Sequence, residues 1–411
     1  MLNADGKREL AYVVQVGPVE DIPGYDRVQK AHVGGWTILV KKDQFKEGDL
    51  GIYFEIDSKV PETKSFEFLK DKHYKIKTQK FCKGTVISQG LLMAFEDLPE
   101  YFTQSAGSWY YKDDPNAVDL GHPLTELLGV KYAIESDNRR KSSGNKYSAM
   151  VQRHQKLFKQ NKLVKWLFKR IWGKKLLFIF LGKKRDNQYA FPSQFEYIHK
   201  TDEERVENLA PGIFEDKEQW IVTEKIDGTS TTFILERKRF NKFEFYVSSR
   251  NVRQLRPDQK NYHSETQESN VYWDMAIKYD IENVLHQMLE EHPDWKYVGL
   301  QGETAGYGLQ GNPHQLPDVR FYGFNLIDSI NGRWNSLDSK KEMEKYNINW
   351  VPILRDNYVL PDTIEEMKDQ ADGVTEIPDA TGLREGLVYR SLDGVRSFKN
   401  VSNKYLLKRG E

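Results

Sequence analysis

The chain has 411 residues, of which 38% are hydrophobic and 30% are charged, so it is long enough for two or three soluble domains. No apolar run reaches the ~18 residues of a membrane span, and the N-terminus lacks the apolar region of a signal peptide. The single cysteine, Cys82, excludes an intramolecular disulfide and disfavours a structural zinc site. We therefore expect a cytoplasmic protein that does not contact membranes.

The formal net charge is zero, but the charges are unevenly distributed. Residues 139–185 contain sixteen Lys or Arg and no Asp or Glu, so the rest of the chain has a net charge of minus sixteen. Concentration of positive charge in one segment indicates a polyanionic partner.

The first block, about residues 8–130, is predicted to be a small β-barrel. Apolar runs between Gly- and Pro-containing turns predict strands at Leu10–Val16, Asp26–Val33, Trp36–Val40, Gly51–Ile56, Phe81–Ile87 and Leu91–Phe95. Five or six short strands in about a hundred residues suit an OB-fold. Several lysines here are able to follow a nucleic-acid backbone or, equally, to form a solvated barrel rim: Lys41, Lys42, Lys70, Lys72, Lys75, Lys77, Lys80 and Lys83.

An amphipathic basic helix is predicted inside the positively charged segment. Between Met150 and Trp172, apolar residues recur at helical spacing with Lys and Arg between them. Such a helix can lie on RNA, on an anionic membrane or against a neighbouring domain, and the last is the default interpretation.

From Tyr189 onward the pattern predicts an antiparallel α+β domain. In Trp220–Leu235 two apolar runs flank Lys225-Ile-Asp-Gly, which we interpret as a hairpin whose tight turn places Gly228 at positive φ. Further strands are predicted at Phe243–Ser249, Tyr297–Glu303, Arg320–Asp328, Glu385–Arg390 and Ser397–Tyr405. Helices are predicted at Lys200–Leu209, with Thr201 as its cap, and at Tyr272–Glu291.

Lys225 is the first candidate for chemistry. A lysine beside a carboxylate at the end of a buried strand can act as a nucleophile, provided that its amine loses a proton. The tetrapeptide alone fits a solvated hairpin lysine as well, because Lys-x-Asp-Gly also occurs by chance. The order of the residues that follow it favours the nucleophile.

Six short motifs follow one another in a recognisable order. They are Lys225-x-Asp-Gly, Ser249-Arg250, Gly302-Glu303, Phe321-x-x-Phe324, Glu385-Gly386 and Phe398-Lys399. This series resembles the nucleotidyltransferase motifs of ATP-dependent ligases and mRNA capping enzymes. The chain is most similar to the RNA ligases that carry an OB-fold ahead of the catalytic domain, and residues 135–188 are poorly covered by the resemblance.

The resemblance implies a role for each motif residue. Lys225 would attack the α-phosphorus of ATP, and three carboxylates would hold ribose hydroxyls and the waters of Mg²⁺ or Mn²⁺, namely Asp227, Glu303 and Glu385. The other expected ATP contacts are Glu224, Gly228, Arg250 for phosphate, Phe324 for adenine stacking, Lys399 for the α-phosphate and Lys404 as its helper.

Two positions depart from the family pattern. Val401 stands where related ligases commonly have a second lysine, which suggests that one phosphate contact is lost or supplied by Lys404. Asn325 stands where many ligases have Asp after the stacking Phe. The chain ends seven residues after Lys404, which we take to leave no room for the C-terminal OB-fold of DNA ligases and capping enzymes.

We therefore expect an ATP-dependent RNA ligase that seals 3′-OH and 5′-phosphate RNA ends, with nicked duplex as the expected substrate. The expected protein is a monomer with an OB-like domain at 1–130, a basic linker at 131–188 and an adenylyltransferase domain at 189–411. A fragment starting near Tyr189 should form lysyl-AMP if it folds. The alternatives are a DNA-nick or mixed nucleic-acid ligase and a catalytically silent RNA-binding protein, against which the intact Lys225 and three carboxylates argue.

Overall fold

A computed structural model describes residues 8–112, 116–133, 189–190, 198, 202–215, 217–250, 252–254, 256 and 270–410. The basic segment 139–185, its predicted helix Met150–Trp172 and the predicted cap Thr201 lie outside these residues. Among the helices that are described, none is long and apolar enough to cross a membrane. The predicted domain boundaries stay predictions.

The N-terminal half is built from short strands. They are β1 (Ala11–Gln15), β2 (Val19–Ile22), β3 (Tyr25–Val33), β4 (Trp36–Lys41), β5 (Leu50–Phe54), β6 (Ser58–Lys59), β7 (Gln79–Phe81), β8 (Val86–Ser88), β9 (Leu91–Met93), β10 (Phe102–Ser105), β11 (Ser108–Tyr111) and β12 (Lys131–Tyr132). Two three-stranded sheets, β1-β5-β9 and β2-β3-β4, form its main part. Side chains alternate across β4, where Trp36, Ile38 and Val40 are buried, as expected for a sheet with one face on a core.

The predicted strand Phe81–Ile87 is wrong as a single element. Residues Gln79–Ser88 instead form the hairpin β7–β8. Three successive residues, Cys82, Lys83 and Gly84, have positive φ angles between the two strands, and that conformation reverses the chain.

The second half contains two larger sheets. Its strands are β13 (Tyr189–Ala190), β14 (Glu204–Arg205), β15 (Gln219–Lys225), β16 (Thr229–Arg237), β17 (Phe243–Ser249), β18 (Val252–Arg253), β19 (Tyr297–Ala305), β20 (Arg320–Asp328), β21 (Gly332–Arg333), β22 (Ile353–Val359), β23 (Gly386–Ser391) and β24 (Ser397–Val401). One sheet has the order β13-β18-β17-β16-β19-β20-β21, and the other has the order β14-β24-β23-β15-β22. Only β14 and β24 pair in parallel among these described strands. The predicted α+β class is confirmed.

The helices are short, and two of them differ from the prediction. They are α1 (Val206–Leu209), α2 (Val271–Lys278), α3 (Ile281–Glu291), α4 (Ser336–Glu344), α5 (Ile364–Ala371) and α6 (Asn403–Arg409). The single predicted helix Tyr272–Glu291 is divided into α2 and α3, because Asp280 has a φ of 50° and stops the first helix. The predicted helix Lys200–Leu209 begins only at Val206, because Glu204 and Arg205 pair with β24 instead.

The prediction of a hairpin around Lys225 is wrong, because the strands on either side of this residue belong to different sheets. Strands β15 and β16 belong to different sheets, so residues 226–228 connect two sheets. Gly228 does not have a φ in the left-handed region; a Cβ there would lie 2.3 Å from the carbonyl oxygen of Thr304. Close approach of β19, and not a positive φ, therefore requires glycine at this position.

The two halves of the molecule share a buried polar contact and an apolar one. The indole of Trp36 donates to Asn208 Oδ1 at 2.6 Å, and Asn208 Nδ2 donates to the fully buried Glu55 at 3.0 Å. Val401 and Leu406 from the C-terminal end join the apolar cluster of the N-terminal strands. The N-terminal half is thus packed directly beside the last elements of the chain.

Candidate active site

Lys225 lies where the two large sheets meet. It is the last residue of β15, directly opposite Gly386 of β23, and Glu385 immediately precedes that strand. Lys225 Nζ is 2.5 Å from Glu385 Oε1, and the two side chains are 25% and 18% exposed, respectively. Glu303 lies on β19, opposite Ser230 of β16, and both of these strands belong to the other large sheet. The structure thus places the predicted lysine and two predicted carboxylates around one junction.

Carboxylates control the charge state of Lys225. Burial acts to lower the pKa of Lys225, but Glu385, Glu303 and Asp227 together raise it above its usual value. In turn, burial raises the pKa of Glu303 to about 8, with further contributions from Glu385 and Asp227. The pKa of Glu385 is also raised by burial. Lys225 is therefore held as an ammonium ion that must lose a proton before it can attack an electrophile.

Asp227 has partners that the sequence analysis missed. The Tyr405 hydroxyl donates to its Oδ2, and Arg409 Nη2 lies 3.5 Å from the same oxygen. The backbone N–H of Asp227 donates to Nε2 of His314 at 3.0 Å. His314 is fully buried, and burial lowers its pKa to about 4, so the ring is neutral and able to accept. Tyr405 directly follows Lys404, but no recognised motif pointed to Arg409 or His314.

Lys399 and Arg250 come together on a shared carboxylate. Asp202 contacts Lys399 Nζ through Oδ1 at 3.2 Å and Arg250 Nη2 through Oδ2 at 2.9 Å. Burial lowers the pKa of Lys399, and Asp202 partly offsets this effect. Two predicted phosphate-binding cations from different sheets are therefore neighbours, and Asp202 is the residue that the sequence analysis missed here.

Lys404 is placed differently from Lys399. It lies on α6 instead of the predicted strand, its side chain is 67% exposed, and its Nζ is 3.4 Å from Asp372. Val401, at the position where related ligases commonly have a lysine, is buried in an apolar cluster made mainly of N-terminal residues. An ammonium group at this position would be buried among apolar side chains. This packing is a physical reason for the departure.

Two further residues predicted to contact ATP, Phe324 and Glu224, already have protein partners. Phe324 is half-buried on β20, with the guanidinium carbon of Arg390 5.6 Å from its ring centroid. The neighbouring Asn325 is buried and donates to Gln301 Oε1 at 3.0 Å, so it belongs to the sheet interior. Both oxygens of the buried Glu224 accept hydrogen bonds, from Thr375 Oγ1 at 2.6 Å and from the N–H of Glu376 at 2.7 Å.

The carboxylates are suited to a hard cation but do not form a cage. Among the described residues, no group of three or more His, Cys, Asp or Glu is placed to hold a metal ion by itself. Glu385 Oε2 is nevertheless buried without a hydrogen-bond partner, and oxygen donors are what Mg²⁺ and Mn²⁺ prefer. Mg²⁺ commonly binds through one or two carboxylates together with waters and substrate phosphates. The oxygen atoms present fit that arrangement.

Comparison with known proteins agrees with this geometry. The family model of an OB-fold domain matches residues 10–95, and the RNA ligase family model matches residues 218–406. None of the curated proteins compared with the chain matches it.

The chain is also similar to solved structures of an RNA ligase from Naegleria gruberi. The complex of that ligase with PPi is 27% identical, with 98% of this chain and 99% of the other covered and a TM-score of 0.68. A mutant with ATP and Mn is 26% identical, with 98% and 100% covered and a TM-score of 0.69. A mutant with AMP and Mn is 27% identical, with 98% and 99% covered and a TM-score of 0.68. The chain thus has an OB-fold domain at 10–95 followed by an RNA ligase domain at 218–406, and over 98% of its length it is similar to the RNA ligase of Naegleria gruberi.

Proposed function

We propose that this RNA ligase joins 3′-OH and 5′-phosphate RNA ends at nicks in duplexes, using ATP and a lysyl-AMP intermediate. The observation that carries the proposal is the contact between Lys225 and Glu385 at the junction of two sheets inside the RNA ligase domain. Its relative from Naegleria gruberi has been solved with ATP and Mn, with AMP and Mn, and with PPi, which are the reactants and products expected of such a step.

In the first step, Lys225 Nζ forms a bond to the α-phosphorus of ATP, and pyrophosphate leaves. The amine must first lose its proton, which Glu385 is close enough to accept at 2.5 Å. A divalent cation bound to one or two of the carboxylates Asp227, Glu303 and Glu385, with waters completing its shell, would offset their negative charge and so lower the pKa of Lys225. In the second step, AMP passes to the 5′-phosphate of RNA, and in the third the 3′-OH displaces AMP.

The two cations and the aromatic ring would contact different portions of ATP. Arg250 and Lys399 form ion pairs with Asp202 in this structure. When ATP binds, the phosphate oxygens would replace the Asp202 carboxylate as their hydrogen-bond acceptors. Phe324 supplies a ring face for adenine, and Gly228 lets the chain pass close to β19 beside the nucleotide. Glu224 orders the loop at Thr375 and Glu376, and Lys404 adds positive charge near the surface.

The test of the function is direct. The full chain is incubated with α-³²P-labelled ATP and Mg²⁺ or Mn²⁺, and a nicked RNA duplex is then added. Transfer of label first to protein and then to the 5′-phosphate, followed by sealing, is the expected sequence. Absence of protein label would favour a silent RNA-binding protein. Equal sealing when the 3′-OH strand is DNA would favour a DNA or mixed-substrate ligase.

Replacement of Glu385 tests the metal assignment. Glu385→Ala should lose adenylylation, or regain it only at raised Mg²⁺ or Mn²⁺, because it removes a carboxylate from a cation site. The rate of adduct formation is measured against metal concentration. Glu376→Ala is a suitable comparison, because Glu376 meets the site through its backbone N–H. Full activity of Glu385→Ala with unchanged metal dependence would show that Glu385 is not a metal residue.

Removal of the charges of residues 139–185 tests whether the basic segment binds RNA. RNA affinity of the full chain should fall steeply with salt, because each neutralised phosphate releases counterions. Replacing 139–185 with an uncharged linker of equal length should weaken RNA binding and reduce the salt slope, as measured by filter binding from about 50 to 200 mM salt. Unchanged affinity and slope would mean that this segment packs on a domain or meets a membrane.

A fragment that starts near Tyr189 would lose contacts that the catalytic domain makes with the N-terminal half. Val401 and Leu406 pack into the apolar cluster of the N-terminal strands, and Asn208 bonds to Trp36 and Glu55. Removing the N-terminal half therefore exposes apolar surface at the end of the catalytic domain. We expect lysyl-AMP formation from this fragment only to the extent that it stays folded.

A further inference from the structure

The C-terminal helix reaches the carboxylate that lies two residues after Lys225. Helix α6 carries Tyr405 and Arg409, and both contact Oδ2 of Asp227. Among the described residues, no hydrogen bond or ion pair engages the other oxygen, Oδ1. Asp227 thus has one oxygen fixed by the protein and one available to a ligand.

Helix α6 is itself held on several sides. The Ser402 side chain caps it by accepting from the N–H of Tyr405 at 3.1 Å, and Ser402 Oγ donates to Asp372 at 2.6 Å. Leu406 packs into the apolar cluster of the N-terminal strands. Lys77 of the OB-fold domain donates to the carbonyl of Gly410, just after the helix. Tyr405 therefore approaches Asp227 from a support fixed by both halves of the molecule.

The backbone of Asp227 is fixed independently of its side chain. His314 Nε2 accepts the Asp227 N–H at 3.0 Å, and the carbonyl of His314 accepts from the N–H of Thr381 at 2.9 Å. Tyr405 is 3% exposed, so its hydroxyl has little freedom to leave this contact. With the main chain held by His314, the orientation of the carboxylate depends on what binds Oδ2.

We propose that Tyr405, assisted by Arg409, is a positioning residue for adenylylation, which orients the Asp227 carboxylate so that Oδ1 meets the ribose or a metal-bound water. This inference rests on the proposed function, because it assumes that Asp227 acts in lysyl-AMP formation. Tyr405 acts through Asp227 and does not touch the reacting atoms. Because its acceptor is charged, the hydrogen bond from Tyr405 to Asp227 is stronger than one between neutral groups.

Tyr405→Phe is the decisive variant, because it removes the hydroxyl and keeps the buried ring. The single-turnover rate of adduct formation at saturating ATP and Mn²⁺ should fall about tenfold to a hundredfold, the range for losing one hydrogen bond to a charged group. Tyr358→Phe is the matched control, because the Tyr358 hydroxyl donates to Gln370 at 2.5 Å, away from Asp227. We expect this control to keep the wild-type rate.

A second background separates positioning from a general effect on packing. In an Asp227→Ala chain, Tyr405→Phe should cause no further loss of rate, because its acceptor is gone. Arg409 is the more exposed of the two partners of Asp227, so Arg409→Gln should lower the wild-type rate by a smaller factor. It serves as the second variant if Tyr405→Phe has a lowered unfolding temperature. Equal losses in both backgrounds, or wild-type rates for both Tyr405→Phe and Arg409→Gln, would overturn the inference. Its failure is distinct from that of the proposed function, which fails if the wild-type chain forms no Lys225-dependent adduct.

Discussion

Lys225→Ala should abolish transfer of labelled AMP to the protein. Lys225 is fixed at the end of β15 by pairing with Gly386, and its Nζ lies 2.5 Å from Glu385. Lys399, the other partly buried lysine predicted to act in this step, lies on another strand, with its Nζ 3.2 Å from Asp202. Among the lysines that the structure describes, none can take its place without rebuilding the strand, so the adduct should be undetectable in gel autoradiography after incubation with α-³²P-labelled ATP.

Two comparison variants make this result specific. Lys225→Arg keeps a positive charge beside Glu385 but presents a guanidinium that does not lose its proton in proteins, so it should also form no adduct. Lys217→Ala removes an exposed lysine that pairs with Asp362 at 2.6 Å, and it should label like the wild type. An adduct at the wild-type level in Lys225→Ala would show that another residue is the nucleophile.

Strands with clean apolar patterns could be predicted from the sequence. Phe243–Ser249 and Arg320–Asp328 have the bounds that the pattern predicts, because each is rich in aromatic and aliphatic residues and ends at polar or turn residues. The partner of a strand could not be predicted in the same way. The apolar runs on either side of Lys225 have the appearance of a hairpin, yet they join different sheets, and that choice depends on packing between distant segments.

In the site, too, residues within sequence motifs could be predicted, whereas residues that act through partners distant in sequence could not. Motif order brought attention to Lys225 and Glu385, which the structure places in contact. Tyr405, His314 and Asp202 were missed because their partners lie far away in sequence, by 178 positions for Tyr405 and Asp227 and by 197 for Lys399 and Asp202. A single sequence has no signal for such pairs, since any buried tyrosine or histidine fits a core equally well.

The contrast between Lys399 and Lys404 gives the second large prediction. Lys399 lies on β24 with 13% of its side chain exposed and is held by Asp202, next to Arg250. Lys404 is 67% exposed and pairs with Asp372 on the outer side of α6. A charge that is fixed in a partly dry site stabilises a transition state far more than a solvated one, because it needs no reorganisation and is screened less.

Lys399→Ala should therefore lower the single-turnover rate of adenylylation by about a hundredfold to a thousandfold, the scale for removing one preorganised donor or charge. Lys404→Ala should lower it by no more than about fivefold, since an exposed ion pair contributes about 1 kcal/mol at most. Both rates are measured by quenching labelled adduct at saturating ATP and metal, with thermal unfolding as the check on folding. Val401 is buried against the N-terminal strands and has no charge to share this work, so the difference falls on these two lysines. A larger loss from Lys404 than from Lys399 would mean that the register of this motif is shifted and that α6, not β24, presents the charge to the α-phosphate.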